Sequence, residues 1–485
     1  MRLLFMETSI IYLLALFFLS LASASYSEQL EVGASCIDIN PKVFPIQLRS
    51  GKSNYIHDSL HVRAVAFQRG EGRAVICLID AIGIGREMSD LAKARAAEKT
   101  GWKPEEMLIC ATHTHSAPKG GEGTRGKEAY ETLKHHKLEE AIVRAIQSLQ
   151  PARVGFSSDE EPSEVRNRRW FLKQGTMPPN PLGELDRVKT NANRNHLVRP
   201  AGPTDPEICV IDVRTTRNKP LALIANYALH YVGGIPKVKE EDGRLVGMAS
   251  SDYFGEFSRV MPFRIGGTNP PEDFVALMTN GASGDINNLV FTGTRAPRSP
   301  FEQARIVASK AADTAWRAVK KIENYDDKPI VEVLQREVDL PYRKPAKREI
   351  ILAESLLKKS SKERNEINKR TTSVANRVIE YSGPDHPETE PVIIQAMRIG
   401  EQAIVSMPFE VLVEIGLEIK KKSPFARTFL ISMANGGYGY LPPPNQHKLG
   451  GYETWLGTSR FQPQSSELLI DHLLQMLKEL KESRF

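Results

Sequence analysis

The stretch Cys110-Ala111-Thr112-His113-Thr114-His115-Ser116-Ala117-Pro118 constrains this chain most. It follows the apolar run Met107-Leu108-Ile109-Cys110-Ala111, which predicts a buried strand continuing to His113. Side chains on a strand repeat with period two, so His113 and His115 are expected on one side. Pro118 and Gly120-Gly121 then break the strand. Two imidazoles at a strand end can share a metal ion, or one can bind metal while the other moves protons. A hydrogen-bonded pair at a strand terminus accounts for the same spacing.

The surrounding pattern supplies the frame. Apolar strand-like runs at 30–39, 60–67 and 73–79 precede a helical spacing over 86–100. A strand over 107–113 and a helix over 127–149 follow. This alternation is the grammar of an α/β fold, a mixed β-sheet core flanked by helices. The polar stretch 159–206, with Gly and Pro and little periodicity, reads as a long functional or disordered excursion over one face. Strands are expected at 207–214, 221–229 and 274–278, with helices at 251–261 and 301–322. Beyond them lie a strand at 330–340, a charged helical excursion at 347–379 and a hairpin at 390–406. Pro408 suggests a helix starting near Met407 and running to Lys422. A strand at 428–433 and a helix at 465–481 close the chain. With 485 residues, no internal repeat and no low-complexity linker, one large domain is the simplest organisation.

The net charge of +6 comes from 65 basic and 59 acidic residues, a mild bias spread along the chain. No Arg/Lys-rich arm or nucleic-acid motif accompanies it, so no nucleic-acid partner is expected. Arg2, the apolar run 10–19 and Ala22-Ser23-Ala24 read as a secretory signal over 1–24, with 25–485 exported to a periplasmic or extracellular space. Glu7 leaves retention as an anchor open. Cys36, Cys77, Cys110 and Cys209 lie far apart without Cys-x-x-Cys spacing. They are expected to be buried free thiols, with a disulfide as the alternative in an exported protein.

One pattern recurs: a strong apolar strand leads into a ligand-type residue followed by Gly or Pro. It is met at His113 and His115, at His230, at Asp285, at Glu410 and at Tyr440. In this ordered set the chain resembles the catalytic domain of the neutral, non-lysosomal ceramidases, which are zinc amidases, from about residue 32 to residue 452. Thr112-His113-Thr114-His115-Ser116-Ala117-Pro118 is similar to that family's hallmark. The resemblance implies that His113 is a zinc ligand and His115 a catalytic residue. It implies further zinc ligands in His230, which ends Asn226-Tyr227-Ala228-Leu229-His230, in Glu410, and in Tyr440 within the run 435–441. It also implies that Tyr452, in Tyr452-Glu453, and Arg168, in Asn167-Arg168, line the site. Asp285 completes the catalytic candidates.

Two His, a carboxylate and a phenolate suit zinc, a borderline-soft ion. Zinc lowers the pKa of a bound water to roughly 7, and His115 can take and return a proton. Tyr452 and Arg168 can donate to a developing oxyanion. Each residue also has a plainer role. His230 can be a packed strand-end histidine, and Glu410 can favour a helix N-terminus. The two tyrosines can be half-buried aromatics. Arg168 can be one solvated charge between Arg166 and Arg169, and Asp285 can cap a turn.

The resemblance has two departures. Asn287 stands where the family carries a Ser, and Ser283 lies in Gly-Ala-Ser-Gly-Asp, which is not a nucleophile elbow. Metal-activated water is therefore expected rather than a covalent serine route. The family's additional C-terminal immunoglobulin-like module is expected to be absent. The expected substrate is the amide of ceramide or a related N-acyl lipid, met through peripheral contact with a membrane surface. The competing expectations are a metal hydrolase acting on a different, polar amide or ester, and an inactive metal- or lipid-binding protein.

Overall fold

The run Arg73-Ala74-Val75-Ile76-Cys77-Leu78-Ile79 is apolar at almost every position because both of its faces are covered. Val75, Cys77 and Ile79 enter one hydrophobic core, while Ala74, Ile76 and Leu78 enter another. This is the burial pattern of a strand inside a layered α/β protein. The computed structural model describes residues 28–120 and 125–483. The signal expected over 1–24, and Gly121, lie outside the described residues.

Eight strands form the larger sheet: β1 (Glu31–Asp38), β2 (His61–Arg69), β3 (Gly72–Ile79), β4 (Met107–Ala111), β5 (Gln150–Glu160), β6 (Glu207–Thr215), β7 (Pro220–Tyr227) and β8 (Val275–Asn280). Their order is β8-β7-β6-β5-β1-β2-β3-β4. Pairing is antiparallel except at the two edges, where β3 runs parallel to β4 and β7 parallel to β8. At its middle the sheet is thinly joined, since β1 meets β5 only through Glu31 with Pro151 and Val32 with Gln150. The two outer edges approach each other: Asn280 Nδ2, at the end of β8, donates to the Thr112 carbonyl just past β4 at 3.4 Å. A second sheet contains β9 (Val331–Pro341), β10 (Thr389–Ile399), β11 (Gln402–Ser406) and β12 (Arg427–Ile431) in that order, with β11 and β12 parallel.

The inner faces of both sheets share one core, where Leu78, Leu108, Ile224 and Leu277 meet Ile404 and Phe429. Helices cover the outer faces. Arg86–Thr100 and Arg125–Gln147 bury Ala92, Ala96, Ala141 and Ile142 against β3 and its neighbours. Asp252–Gly266 and Glu302–Lys320 bury Phe257, Ala308 and Ala311 against Leu223 and Ala276. Thr371–Ser382, Val413–Lys422 and Ser465–Glu482 cover the second sheet. Each fully buried Leu or Ile in these layers contributes roughly 1.5–3 kcal/mol of transfer free energy. The expected mixed sheet flanked by helices in one domain is the fold observed.

Several local expectations are corrected. β4 ends at Ala111, so His113 and His115 lie beyond the strand and strand alternation does not align them. The stretch 159–206 is ordered: β5 reaches Glu160, and Arg169–Leu172 pairs with Val188–Thr190 and Leu197–Pro200 in a small sheet. The helix expected from Met407 starts only at Val413. Glu410 instead lies on a two-residue strand, Glu410–Val411, paired in parallel with Tyr440–Leu441. Among the described residues all four cysteines are free; Cys77, Cys110 and Cys209 are buried and Cys36 is exposed. No helix among the described residues is long and apolar enough to cross a membrane.

Candidate metal centre

The chain leaves β4 through a reversal. His113 adopts φ 68°, a left-handed conformation that few non-glycine residues take and that histidine tolerates better than most. Its N–H donates to the Ala81 carbonyl at 2.9 Å, and its Nδ1 lies 2.5 Å from the Ile82 carbonyl. That contact fixes the proton on Nδ1 and leaves the Nε2 lone pair facing inward. His230, three residues past β7, is held in the same way, with Nδ1 at 3.0 Å from the Ser283 carbonyl. Two imidazoles, one after the edge strand β4 and one after β7, the strand next to the opposite edge, thus present the same nitrogen to the same space.

Glu410 arrives from the second sheet. Gly284 makes room for it: a Cβ there would lie 2.6 Å from the Glu410 carbonyl oxygen, and the Gly284 N–H bonds Val411 at 2.7 Å. The Glu410 Oε2 atom lies 3.3 Å from His113 Nε2 and 3.6 Å from His230 Nε2. Tyr440 is its partner in the parallel strand pair. The Tyr440 hydroxyl accepts from Arg168 Nη2 at 3.0 Å. Arg168 is anchored through Nε to Glu453 at 3.0 Å, and Arg169 holds the other Glu453 oxygen at 2.7 Å. All three of these charged side chains are buried, as a paired and hydrogen-bonded group must be to tolerate burial.

The electrostatics follow from burial and from these neighbours. Burial pushes the His230 ring well below the ordinary histidine value, helped by Arg168 and the two other rings, so it is neutral. Burial pushes the Glu410 carboxyl upward, but the His113 ring, the Tyr440 hydroxyl and Arg168 outweigh it, leaving it below its ordinary value and ionised. Burial, then Glu410, raises the Tyr440 phenol well above its usual range.

His115 differs from the other two rings. Its Nε2 is 3.1 Å from His113 Nε2, and the three rings bring their ligand atoms within 4.8 Å of one another. However, Arg49 Nη1 donates to its Nδ1 at 2.8 Å. Arginine only donates, so the neutral His115 ring carries its proton on Nε2. Tyr231 stacks on the ring at 3.7 Å between centroids. Burial, then His113, Arg49 and Arg168, drives His115 down to about 2.

The remaining candidates lie around this group. Tyr452 packs edge-on against Tyr440 at 5.4 Å between ring centroids, with the Arg370 guanidinium over the Tyr452 ring at 4.5 Å from its centroid. Both Asp285 oxygens are committed: Oδ2 accepts from Asn167 Nδ2 at 2.7 Å, and Oδ1 from the Val413 N–H at 2.9 Å, the first residue of the helix Val413–Lys422. Burial raises its carboxyl to about 6. Asp285 therefore braces Asn167 and a helix end rather than offering a free oxygen. Ser283 gives its hydroxyl to Asn280 Oδ1 at 2.6 Å, and its carbonyl accepts from His230 Nδ1. Asn287 accepts from the Leu289 N–H at 2.6 Å. Arg49 and Tyr231 escaped the sequence reading; Tyr231 follows His230 directly, whereas Arg49 lies in a polar turn that carries no signal.

The donor set fits a metal cation. His230 Nε2 and Glu410 Oε2 are both buried without a hydrogen-bond partner, although they face each other at 3.6 Å. Orphaned buried acceptors are costly, and a cation between them satisfies both.

The sequence matches no family model and no curated protein. The fold is similar to that of a neutral ceramidase from Pseudomonas aeruginosa, with a TM-score of 0.67 and 18% identity over 93% of this chain and 75% of that one. It is also similar to a ceramidase complexed with C2, with a TM-score of 0.69 and 17% identity over 94% of this chain and 75% of that one.

Proposed function

We propose that this chain is a zinc-dependent amidohydrolase that cleaves the amide bond of ceramide or a related N-acyl compound, after export on a signal over residues 1–24. His113, His230, Glu410 and Tyr440 are the ligands in this reading. The observation that carries it is the pair of unsatisfied buried atoms, His230 Nε2 and Glu410 Oε2, beside a second imidazole nitrogen oriented by a carbonyl. The likeness of the fold to ceramidases supports the reaction class.

Bound zinc supplies Lewis acidity and lowers the pKa of a water at neutral pH. The protein's own groups do the rest. The Ile82 and Ser283 carbonyls orient two ligand rings. Arg168, held by Glu453, donates to the Tyr440 oxygen and favours its phenolate. His115 holds a proton on Nε2 at the edge of the site. For Nε2 to accept a proton, Nδ1 must first come free of Arg49 and take the ring's hydrogen. The engaged Ser283 hydroxyl favours water over a serine nucleophile.

The test is zinc content together with fatty-acid release from a panel of N-acyl substrates. About one zinc per chain with measurable release is expected. Zinc bound without turnover of any amide or ester would instead favour the inactive binding protein.

A further inference from the structure

A cleft of about 470 Å³ adjoins His115 on the side of Arg49. Its walls include Leu48, Tyr231, Ile235 and Met248, and it carries two cationic side chains, Arg49 and Lys237, with no carboxylate in its lining. Both cations are exposed. Elsewhere carboxylates close on basic groups, as on Lys420 or Arg336. Here they do not: among the described residues the Lys237 ammonium has no hydrogen-bond or ion-pair partner, and the Arg49 guanidinium bonds the His115 ring and has no carboxylate partner. Two uncompensated cations in a cleft focus a positive potential on whatever enters it.

Position tells which part of the substrate enters. Amide hydrolysis breaks the C–N bond; water adds its oxygen to the acyl carbon, and the nitrogen leaves with a proton. The group that passes this proton must lie within hydrogen-bond reach of the leaving nitrogen. On the amidohydrolase reading His115 is that group, so the cleft continuous with His115 receives the amine half. We infer that this enzyme selects N-acyl compounds whose amine half bears an acidic group, a carboxylate or phosphate, held by Arg49 and Lys237. The inference rests on the amidase reading and narrows it away from uncharged ceramide.

The test uses the zinc-loaded full chain and a matched pair, N-octanoylglycine and N-octanoylglycinamide, with octanoate release as readout. The carboxylate is expected to have a kcat/KM about tenfold or more above that of the neutral amide, the scale of one charge-assisted contact. The Lys237→Gln variant should reduce that ratio about tenfold, and Lys237→Arg should restore it. A ratio near one, or a ratio untouched by Lys237→Gln, overturns the inference while leaving the amidase reading intact. If neither compound is cleaved, the amidase reading is decided by the wider N-acyl panel, and calorimetric binding of the same pair decides the anion site. Tighter binding of the carboxylate, weakened in Lys237→Gln, upholds it, and equal binding of the two compounds overturns it.

Discussion

Nε2 of His113 lies 3.3 Å from Oε2 of Glu410, although one follows the edge strand of the eight-stranded sheet and the other follows β11 of the second sheet. Neither sheet alone can build the centre. Removing either partner should therefore abolish metal retention. His113→Ala and Glu410→Ala are expected to purify with well under a tenth of the wild-type zinc, read by elemental analysis after dialysis. Full occupancy in both would show that the ion is held elsewhere.

His115 should behave differently, because Arg49 occupies its Nδ1 and its Nε2 carries the proton. His115→Ala is expected to keep its zinc while kcat falls by about 10²–10⁴, the range for loss of a general acid–base group. Parallel measurements of metal and turnover separate the two roles. A proportional drop in zinc would make His115 a ligand instead.

Gly284 is the close-approach point between the turn after β8 and the strand carrying Glu410. A methyl group there meets backbone oxygens of Glu410 and Val411 at 2.6 and 2.9 Å, which cannot rotate away. Gly284→Ala should destabilise the protein by about 1–3 kcal/mol and weaken zinc binding, seen by denaturant titration and by competition with a chelator. Unchanged values for both would mean that the two segments can separate without consequence.

Asp285 should matter for stability more than for chemistry. Asp285→Ala removes the acceptor of the Val413 N–H and one of the two acceptors of Asn167 Nδ2, and is expected to cost about 1–3 kcal/mol, read from the unfolding midpoint. Asp285→Asn keeps one acceptor oxygen and should recover part of that. A turnover loss in the Asn variant much greater than its loss of stability would assign Asp285 a chemical part.

Glu453 sets an acid limit. Burial raises its carboxyl, but Arg168 and Arg169 outweigh burial, so the folded value lies below the unfolded one of about 4.3. A depressed carboxylate contributes stability that is complete above the unfolded value and lost as pH falls toward the folded one. Glu453→Gln should cost about 3–5 kcal/mol at pH 7, since it strands two buried guanidinium groups. Below a pH of about 4.3 the difference from wild type should narrow. A constant gap across that range would show that the carboxylate does not titrate with unfolding.

The parts legible in the sequence share a local cause. Strands buried on both faces, such as Met107–Ala111 and Gly72–Ile79, announce themselves by continuous apolar residues. The strand Gln150–Glu160 does not, because it is polar and alternates weakly, and its pairing with Glu207–Thr215 stabilises it from a distance. Pro408 suggested a helix start, yet the helix begins at Val413, where the capping oxygen comes from Asp285 far earlier in the chain. His113, His230, Glu410 and Tyr440 were visible through their motifs. What joins them was not: the left-handed turn at His113, the Arg49 contact and the Gly284 gap are relations between remote segments. The His113 and His115 rings do come together, with their Nε2 atoms 3.1 Å apart, but through the turn after β4 and not through strand alternation.

The parallel pairing of Glu410–Val411 with Tyr440–Leu441 gives the centre a mechanical character. Carboxylate and phenol ride on one short ribbon, while the two imidazoles follow β4 and β7, strands near opposite sides of the other sheet. A sliding of the layers by a fraction of a side chain would move the first pair as a unit and pull it from the second. On the proposed reading, metal coordination would in this sense gauge how the two halves of the sandwich are aligned.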